Sequence, residues 1–223
     1  MRGIKLMKIV AIDTSTKQLS VALSDGTQII AEASYVTSLN HATKLMPLLE
    51  RLMQEANWLP KELTRIVVAD GPGSYTGLRI GATTAKTLAY TLGIELVAVS
   101  TLELMAASTG RTGRVVAIQD ARRGTGFVGM YEDGKRVGDE QHTTVADFVA
   151  ALPADTLMTG DTEKFVEALE PFEIVAPAFR TPRAGVLALL GATRVPVDAH
   201  AFEPRYLRLA EAEAKWIEAQ RHD

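Results

Sequence analysis

Asp70-Gly71-Pro72-Gly73-Ser74-Tyr75-Thr76-Gly77-Leu78-Arg79-Ile80-Gly81 decides how the chain is read. The apolar run ending at Asp70 has the composition of a buried strand, and the residues after Ser74 continue as a helix to about Leu92. Gly71 and Gly73 supply the dihedrals that a tight strand-to-helix turn requires. Ser74 suits the N-cap, where its hydroxyl accepts from a first-turn amide. Gly77, Gly81, Ala85 and Ala89 recur every fourth residue and share one stripe, bare enough for another backbone to come close. A glycine turn that opens a helix is also a natural anion site. Neither phosphate signature fits, however. The stretch ends Leu78-Arg79 where G-x-x-x-x-G-K-[ST] needs Gly-Lys, and Thr76 stands where G-x-G-x-x-G needs its third glycine. A structural turn and an anion contact both stay open on the sequence.

Upstream, Lys8–Asp13 reads as a strand buried on both faces, Thr14-Ser15-Thr16 as a polar turn, and Gln18–Ser24 and Thr27–Ser34 as strands around an Asp25-Gly26 hairpin. A helix is expected from His41 to Asn57 with Leu45, Leu48, Leu49 and Leu52 on one stripe, bent or restarted at Pro47. Downstream come a strand Glu95–Val99 and a helix opened by a capping box from Ser100 to Glu103.

The order then repeats. Val116-Ala117-Ile118 echoes Val10-Ala11-Ile12, Asp120 closes its strand as Asp13 closes the first, and Asp133-Gly134 matches Asp25-Gly26. Further helices are expected from Thr144 to about Leu152, near Thr162–Leu169 and Arg183–Ala192, and over Leu209–Gln220, with a strand at Thr156–Thr159. Two βββαβα halves, residues 7–110 and 111–223 joined near Gly110–Gly113, suggest an α/β, duplicated ribonuclease-H-like (actin-like) fold. The last helix has the option of packing back on the first half.

At 223 residues the chain is long enough for one large domain or two small ones. A net charge of −3 gives no overall basic field for nucleic acid or membrane, though a local basic patch is compatible with it. The absence of cysteine excludes disulfides and thiolate metal sites, and fits a cytoplasmic location. No apolar run is long enough to span a bilayer, and Met1–Leu6 is too short for a signal peptide, with Met7 an alternative start.

For chemistry, Asp13, Thr14 and Ser15 are candidate nucleotide or phosphate contacts, in which hydroxyls and amides donate and a carboxylate holds a metal's waters. The alternative is that Asp13 caps its own turn. Asp120 beside Arg122 and Arg123 allows an ion pair, a phosphate contact or a solvated hairpin tip. The four histidines have no partner at metal-helix spacing, and no serine has the G-x-S-x-G setting. The apolar girth of the helix from His41 and the small-residue stripe after Ser74 together suggest a protein interface rather than interior packing alone.

These residues carry a family resemblance. IDTST after the first strand, His41 with Lys44-Leu45-Met46-Pro47, GPGSYTGLRIG, Asp120-Ala121-Arg122-Arg123-Gly124 and Pro204-Arg205-Tyr206-Leu207-Arg208 resemble the TsaB (YeaZ) family. The resemblance implies a non-catalytic dimerisation and activation subunit that pairs with the related catalytic protein TsaD and the ATPase TsaE. Together these transfer threonylcarbamoyl to adenosine 37 of tRNAs reading ANN codons. Under this resemblance the chain binds no cofactor or metal of its own: ATP or ADP and the metal belong to the partner complex, and tRNA is met only through it. TsaD-like proteins hold a metal through H-x-x-x-H; at that place this chain has Thr101 and Met105, poor replacements for imidazole. The resemblance also implies a homodimer through the two middle helices, on the face that meets TsaD. That interface is expected to include His41, Leu45, Leu48, Leu49, Leu52, Tyr75, Gly77, Leu78, Arg79, Gly81 and Ala85. On this reading Gly81→Trp blocks association while leaving the chain folded. Thr125-Gly126-Phe127 departs from the acidic and bulky residues of the family, which leaves open what the second hairpin touches. A small actin-fold phosphotransferase using Asp13, and a peptidase, are the alternatives.

Overall fold

A computed structural model describes residues 7–36 and 40–207. The expected helix over Leu209–Gln220 and the segment before Met7 lie outside the described residues. The first sheet is built from β1 (Ile9–Asp13), β2 (Gln18–Ser24), β3 (Ile29–Val36), β4 (Arg65–Gly71) and β5 (Glu95–Ser100), in the order β3-β2-β1-β4-β5. The second is built from β6 (Arg114–Asp120), β7 (Thr125–Glu132), β8 (Lys135–Thr144), β9 (Leu157–Gly160) and β10 (Glu173–Ile174), in the order β10-β9-β6-β7-β8. In each sheet the central strand pairs antiparallel with the next strand and parallel with the one after the hairpin: β1 with β2 and β4, β6 with β7 and β9. The two sheets are therefore copies of one topology, as the repeated order predicts.

Among the described residues, six α-helices separate and flank the sheets. Val10 and Ile12 of β1 point to one side, where α1 (His41–Glu55) and α2 (Tyr75–Leu92) bury Leu45, Leu48, Leu49, Leu52, Ala82, Ala85 and Ala89. Ile9 and Ala11 point to the other, onto Leu104 of α3 (Thr101–Ser108) and Ala184, Leu187 and Ala188 of α6 (Ala184–Ala192). The opposite side of α3 presents Leu102, Met105 and Ala106 to Val115, Ala117 and Tyr131 of the second sheet. The short helices α4 (Val145–Val149) and α5 (Val166–Leu169) cover that sheet's far face with Phe165. A central strand covered on both sides reads as a continuous apolar run, as β1 does from Ile9 to Ile12, and β1 is buried throughout, its closing Asp13 included.

Several boundaries differ from the sequence expectation for local reasons. β3 starts at Ile29 rather than Thr27, because the Asp25 carboxylate accepts from the amides of Thr27 and Gln28 and holds both in the turn. α1 runs through Pro47 without a restart. Ser100 caps α3 by accepting from the amides of Leu102 and Glu103, but the Glu103 carboxylate turns to Arg194 instead of closing a capping box. The helix expected near Thr162–Leu169 is split into a single 3-10 turn and α5, parted at Phe165 (φ −132°).

The small-residue stripe on α2 serves this chain's own backbone. Thr14 Oγ1 donates to the Gly77 carbonyl at 2.7 Å, and the Ser74 amide donates to the Ser15 carbonyl at 2.8 Å. A Cβ at Gly77 would fall on the Thr14 carbonyl oxygen, and one at Gly81 on Thr14 Oγ1, both well inside 3.0 Å. The expectation that Gly81→Trp leaves the fold intact is therefore corrected: an indole there displaces the β1–β2 turn. The sign of a smaller change is decisive. Gly→Ala inside an exposed helix stabilises by roughly 1 kcal/mol through propensity. Gly77→Ala should instead destabilise by about 2–3 kcal/mol, the cost of overpacking a closed contact. Urea unfolding of Gly77→Ala beside the exposed control Thr83→Ala checks this, and a stabilised Gly77→Ala would show that the turn yields freely.

Candidate functional site

Three places carry the residues singled out by sequence. The first is the β1–β2 turn. Asp13, Thr14 and Ser15 are buried, none more than 1% exposed. Asp13 Oδ1 accepts from the Ser15 amide at 2.8 Å and from Ser15 Oγ at 2.6 Å. Burial raises the Asp13 pKa, and the Ser15 hydrogen bonds and nearby His41 act against that rise. The Ser15 carbonyl also accepts from Gln119 Nε2 across the lobes at 3.4 Å. The turn is thus closed by its own hydrogen bonds and by α2, the arrangement of the structural alternative for Asp13. His41 Nε2 lies 3.0 Å from the Thr16 carbonyl; since a carbonyl only accepts, Nε2 carries the proton, and the ring pins the start of α1 to this turn.

The second place is the outer face of α1 and α2. Of the residues expected at an interface, Leu45, Leu48, Leu49, Leu52, Gly77, Leu78, Gly81 and Ala85 are buried inside the chain. They are corrected to core: the apolar girth of α1 covers the sheet, and the bare stripe of α2 admits the turn. Tyr75 and Arg79 remain outside, with His41 half-buried. Tyr75 is 48% exposed, packs against Tyr206 at 5.2 Å between ring centroids, and accepts from Arg79 Nη1 at 2.9 Å. Beside α1, Tyr35, Thr43, Lys44, Pro47, Leu48 and Arg51 line an open cleft of about 350 Å³. Arg51 Nη2 donates to the Tyr35 hydroxyl across it.

The third place was not foreseen. Glu140 of β8 is buried between the lobes, where its Oε1 accepts from Ser100 Oγ at 2.5 Å and from the Tyr131 hydroxyl. Its Oε2 lies 2.5 Å from Arg205 Nη2. Arg205 also donates from its amide to the Asp70 carbonyl and from Nη2 to the Gly71 carbonyl, and stands 3.7 Å from Asp70 Oδ1. Burial pushes the Tyr131 phenol above its ordinary range, with the Glu140 charge adding to it. Asp70 is raised to about 6 by burial; Arg205 lowers it and Glu140 raises it further. Asp70 and Arg205 sit inside quoted motifs, yet the signal that pairs them is absent: Glu140 lies in the polar run Gly138-Asp139-Glu140-Gln141-His142, which reads as solvated.

The remaining candidates are arranged for structure. Thr101 and Met105 face the interior of α3, 0% and 3% exposed. Among the described residues no group of three His, Cys, Asp or Glu side chains is placed to hold a metal. The Thr125 hydroxyl is 2.9 Å from His142 Nε2 but spends its proton on the Arg122 carbonyl, so the imidazole donates to it rather than activating it. Asp120 Oδ1 accepts from the Arg122 amide, and Arg122 and Arg123 take positive φ in the exposed turn.

The model of the family described as TsaD, tRNA N6-adenosine threonylcarbamoyltransferase, matches residues 32–186. The tRNA threonylcarbamoyladenosine biosynthesis protein TsaB of Bacillus subtilis is 43% identical, over 96% of this chain and 100% of that one. The solved structure of YeaZ from Pseudomonas aeruginosa superposes with a TM-score of 0.78 at 28% identity, over 90% of this chain and all of that one. A second Pseudomonas aeruginosa structure, described as similar to peptidase YeaZ, gives 0.81 at 29% identity over 91% of this chain and all of that one.

Asp70 supplies a pH test. Burial raises its carboxyl to about 6 in the folded chain, against the 3.8 of an unperturbed aspartate, so the folded state binds the proton more tightly. Stability attributable to it is therefore present at low pH and lost as pH rises through 6. Asp70→Asn, which carries no charge to bury, should gain on the wild type by about 2–3 kcal/mol between pH 4 and pH 8, at about 1.4 kcal/mol per pK unit. Denaturant midpoints of both proteins across that range check it; a constant difference would mean that Asp70 is not held protonated.

Proposed function

Because the chain belongs to the TsaB family of tRNA threonylcarbamoyladenosine biosynthesis proteins, we propose that it is the non-catalytic subunit of the threonylcarbamoyl-transferring complex. It docks TsaD and, with it, TsaE, and positions them for modification of adenosine 37. It acts in the cytoplasm, self-associates through the same face when TsaD is absent, and meets tRNA as part of the assembly. ATP or ADP and the metal are held by the partners.

The observation carrying this reading is the surface left on α1 and α2 after the core is accounted for. Tyr75, Arg79 and Tyr206 form one exposed aromatic and cationic group, with Met46 also exposed on α1. Aromatic and arginine side chains are the usual anchors of protein interfaces. Two further observations support a role without chemistry. Thr101 and Met105 stand where the family resemblance places metal-binding histidines, and both are packed into the interior. In the Asp13–Ser15 turn the Thr14 and Ser15 hydroxyls and Asp13 Oδ1 are engaged within the chain and the carboxylate is fully buried, which weighs against the phosphotransferase alternative. The peptidase alternative finds no activated hydroxyl at Thr125. Among the described residues no helix is long and apolar enough to cross a membrane.

Light scattering on the chain alone and mixed with TsaD tests the proposal. A self-associated species should give way to a mixed complex, and tRNA modification should require both proteins. Tyr75→Ala with Arg79→Glu should weaken TsaD binding by about tenfold or more, the scale of an interface hot spot, while the unfolding midpoint stays unchanged. Undiminished binding by the double variant would move the docking face elsewhere.

A further inference from the structure

A second cleft, of about 490 Å³, opens between the lobes and shares no lining residue with the one beside α1. Its walls are the ends of β4 and β5, the first turn of α3, the β7–β8 hairpin, and the chain after α6. Four cations converge there: Lys135 and Arg136 from the hairpin, and Arg194 and Arg205 from the late chain. Arg194 is paired with Glu103, and Arg205 with Glu140 beneath the cleft. These two are held in place by carboxylates, so their guanidinium groups are fixed before any ligand arrives. Lys135 and Arg136 are exposed and, among the described residues, make no side-chain ion pair or hydrogen bond. Asp70, the remaining carboxylate of the lining, stands 3.7 Å from Arg205 Nη2. Four cations thus meet two lining carboxylates, Asp70 and Glu103, with Glu140 beneath, which leaves positive charge in excess on a chain whose net charge is −3. Arg205 Nε is buried and without a hydrogen-bond partner, an orphan donor in the wall.

We propose that this cleft is a phosphate-binding site, in which Lys135 and Arg136 capture phosphate oxygens against the preset guanidinium groups of Arg194 and Arg205. Several converging cations, three of them planar forks, suit a group with multiple anionic oxygens better than a single carboxylate. The phosphate has two sources to distinguish: the backbone of an RNA, or a free oligophosphate. The RNA source rests on the role in tRNA modification proposed above; the oligophosphate source does not.

Titration of the full chain with pyrophosphate by calorimetry, and with a tRNA transcript by fluorescence anisotropy with and without TsaD, tests it. Each is repeated with Lys135→Ala/Arg136→Ala and with Lys61→Ala/Lys164→Ala, an equal charge change outside the cleft lining. Either ligand should lose about tenfold or more in affinity with the cleft variant and little with the control. For tRNA, the dependence of log affinity on log salt should fall by about 2, one for each lost phosphate contact. Pyrophosphate binding alone identifies the free ligand, and tRNA binding alone the backbone. Absence of both, or equal losses in cleft and control variants, overturns the site. Failure of TsaD to bind, with pyrophosphate still bound through Lys135 and Arg136, would overturn the docking proposal and leave the site standing.

Discussion

The structure depends on how closely the turn after β1 approaches the first two turns of α2. Thr14 donates to the Gly77 carbonyl, the Ser74 amide reaches the Ser15 carbonyl, and neither distance survives a side chain at Gly77 or Gly81. This contact orders the rest of the first lobe. It sets where α2 begins, which fixes the angle at which Ala82, Ala85 and Ala89 meet the sheet. It also buries the Asp13 carboxylate, whose Oδ1 takes two hydrogen bonds from Ser15 while Oδ2 has no partner among the described residues, and burial accordingly raises its pKa. A glycine-turn-helix element that in other proteins receives a phosphate here receives the protein's own backbone.

Between the lobes the contacts are of two kinds. α3 presents apolar side chains to both sheets at once, Leu104 to the first and Leu102, Met105 and Ala106 to the second. Beside it, Glu140 of the second lobe binds Ser100 and Arg205, and Arg205 binds the backbone at Asp70 and Gly71 of the first. The apolar part supplies area, and the polar part fixes register, since a buried carboxylate loses more than it gains if its partners slip.

Much of the fold was legible because it is written in local signals. The repeated apolar triplets ending in Asp13 and Asp120 and the Asp-Gly turns at matched spacing report a duplication through strand chemistry alone. The hydroxyl of Ser74 marks the start of α2 where the structure has it, and the helix ends at Leu92 as expected. The use of the α2 stripe was not legible. Small residues at four-residue spacing announce a close neighbour but not which one, and here it is a turn sixty residues earlier rather than a second copy. The leucines of α1 misled for a related reason: five strands need more cover than a sequence pattern reveals. Glu140 was invisible because its burial comes from Ser100, Tyr131 and Arg205, all distant in sequence.

Helix α6 carries a consequence of its position late in the chain. It is the last described helix, yet Ala184, Leu187 and Ala188 cover Ile9, Ala11, Ala22 and Val67, strands made from the first third of the sequence. On the ribosome, the first lobe therefore emerges with one side of its sheet covered by α3 alone, and it stays so until α6, late in the second half, has been synthesised. Contacts of such long sequence separation slow folding and prolong exposure of apolar surface. The duplicated halves are two by descent and topology, but the nascent chain must finish both before it has completed either.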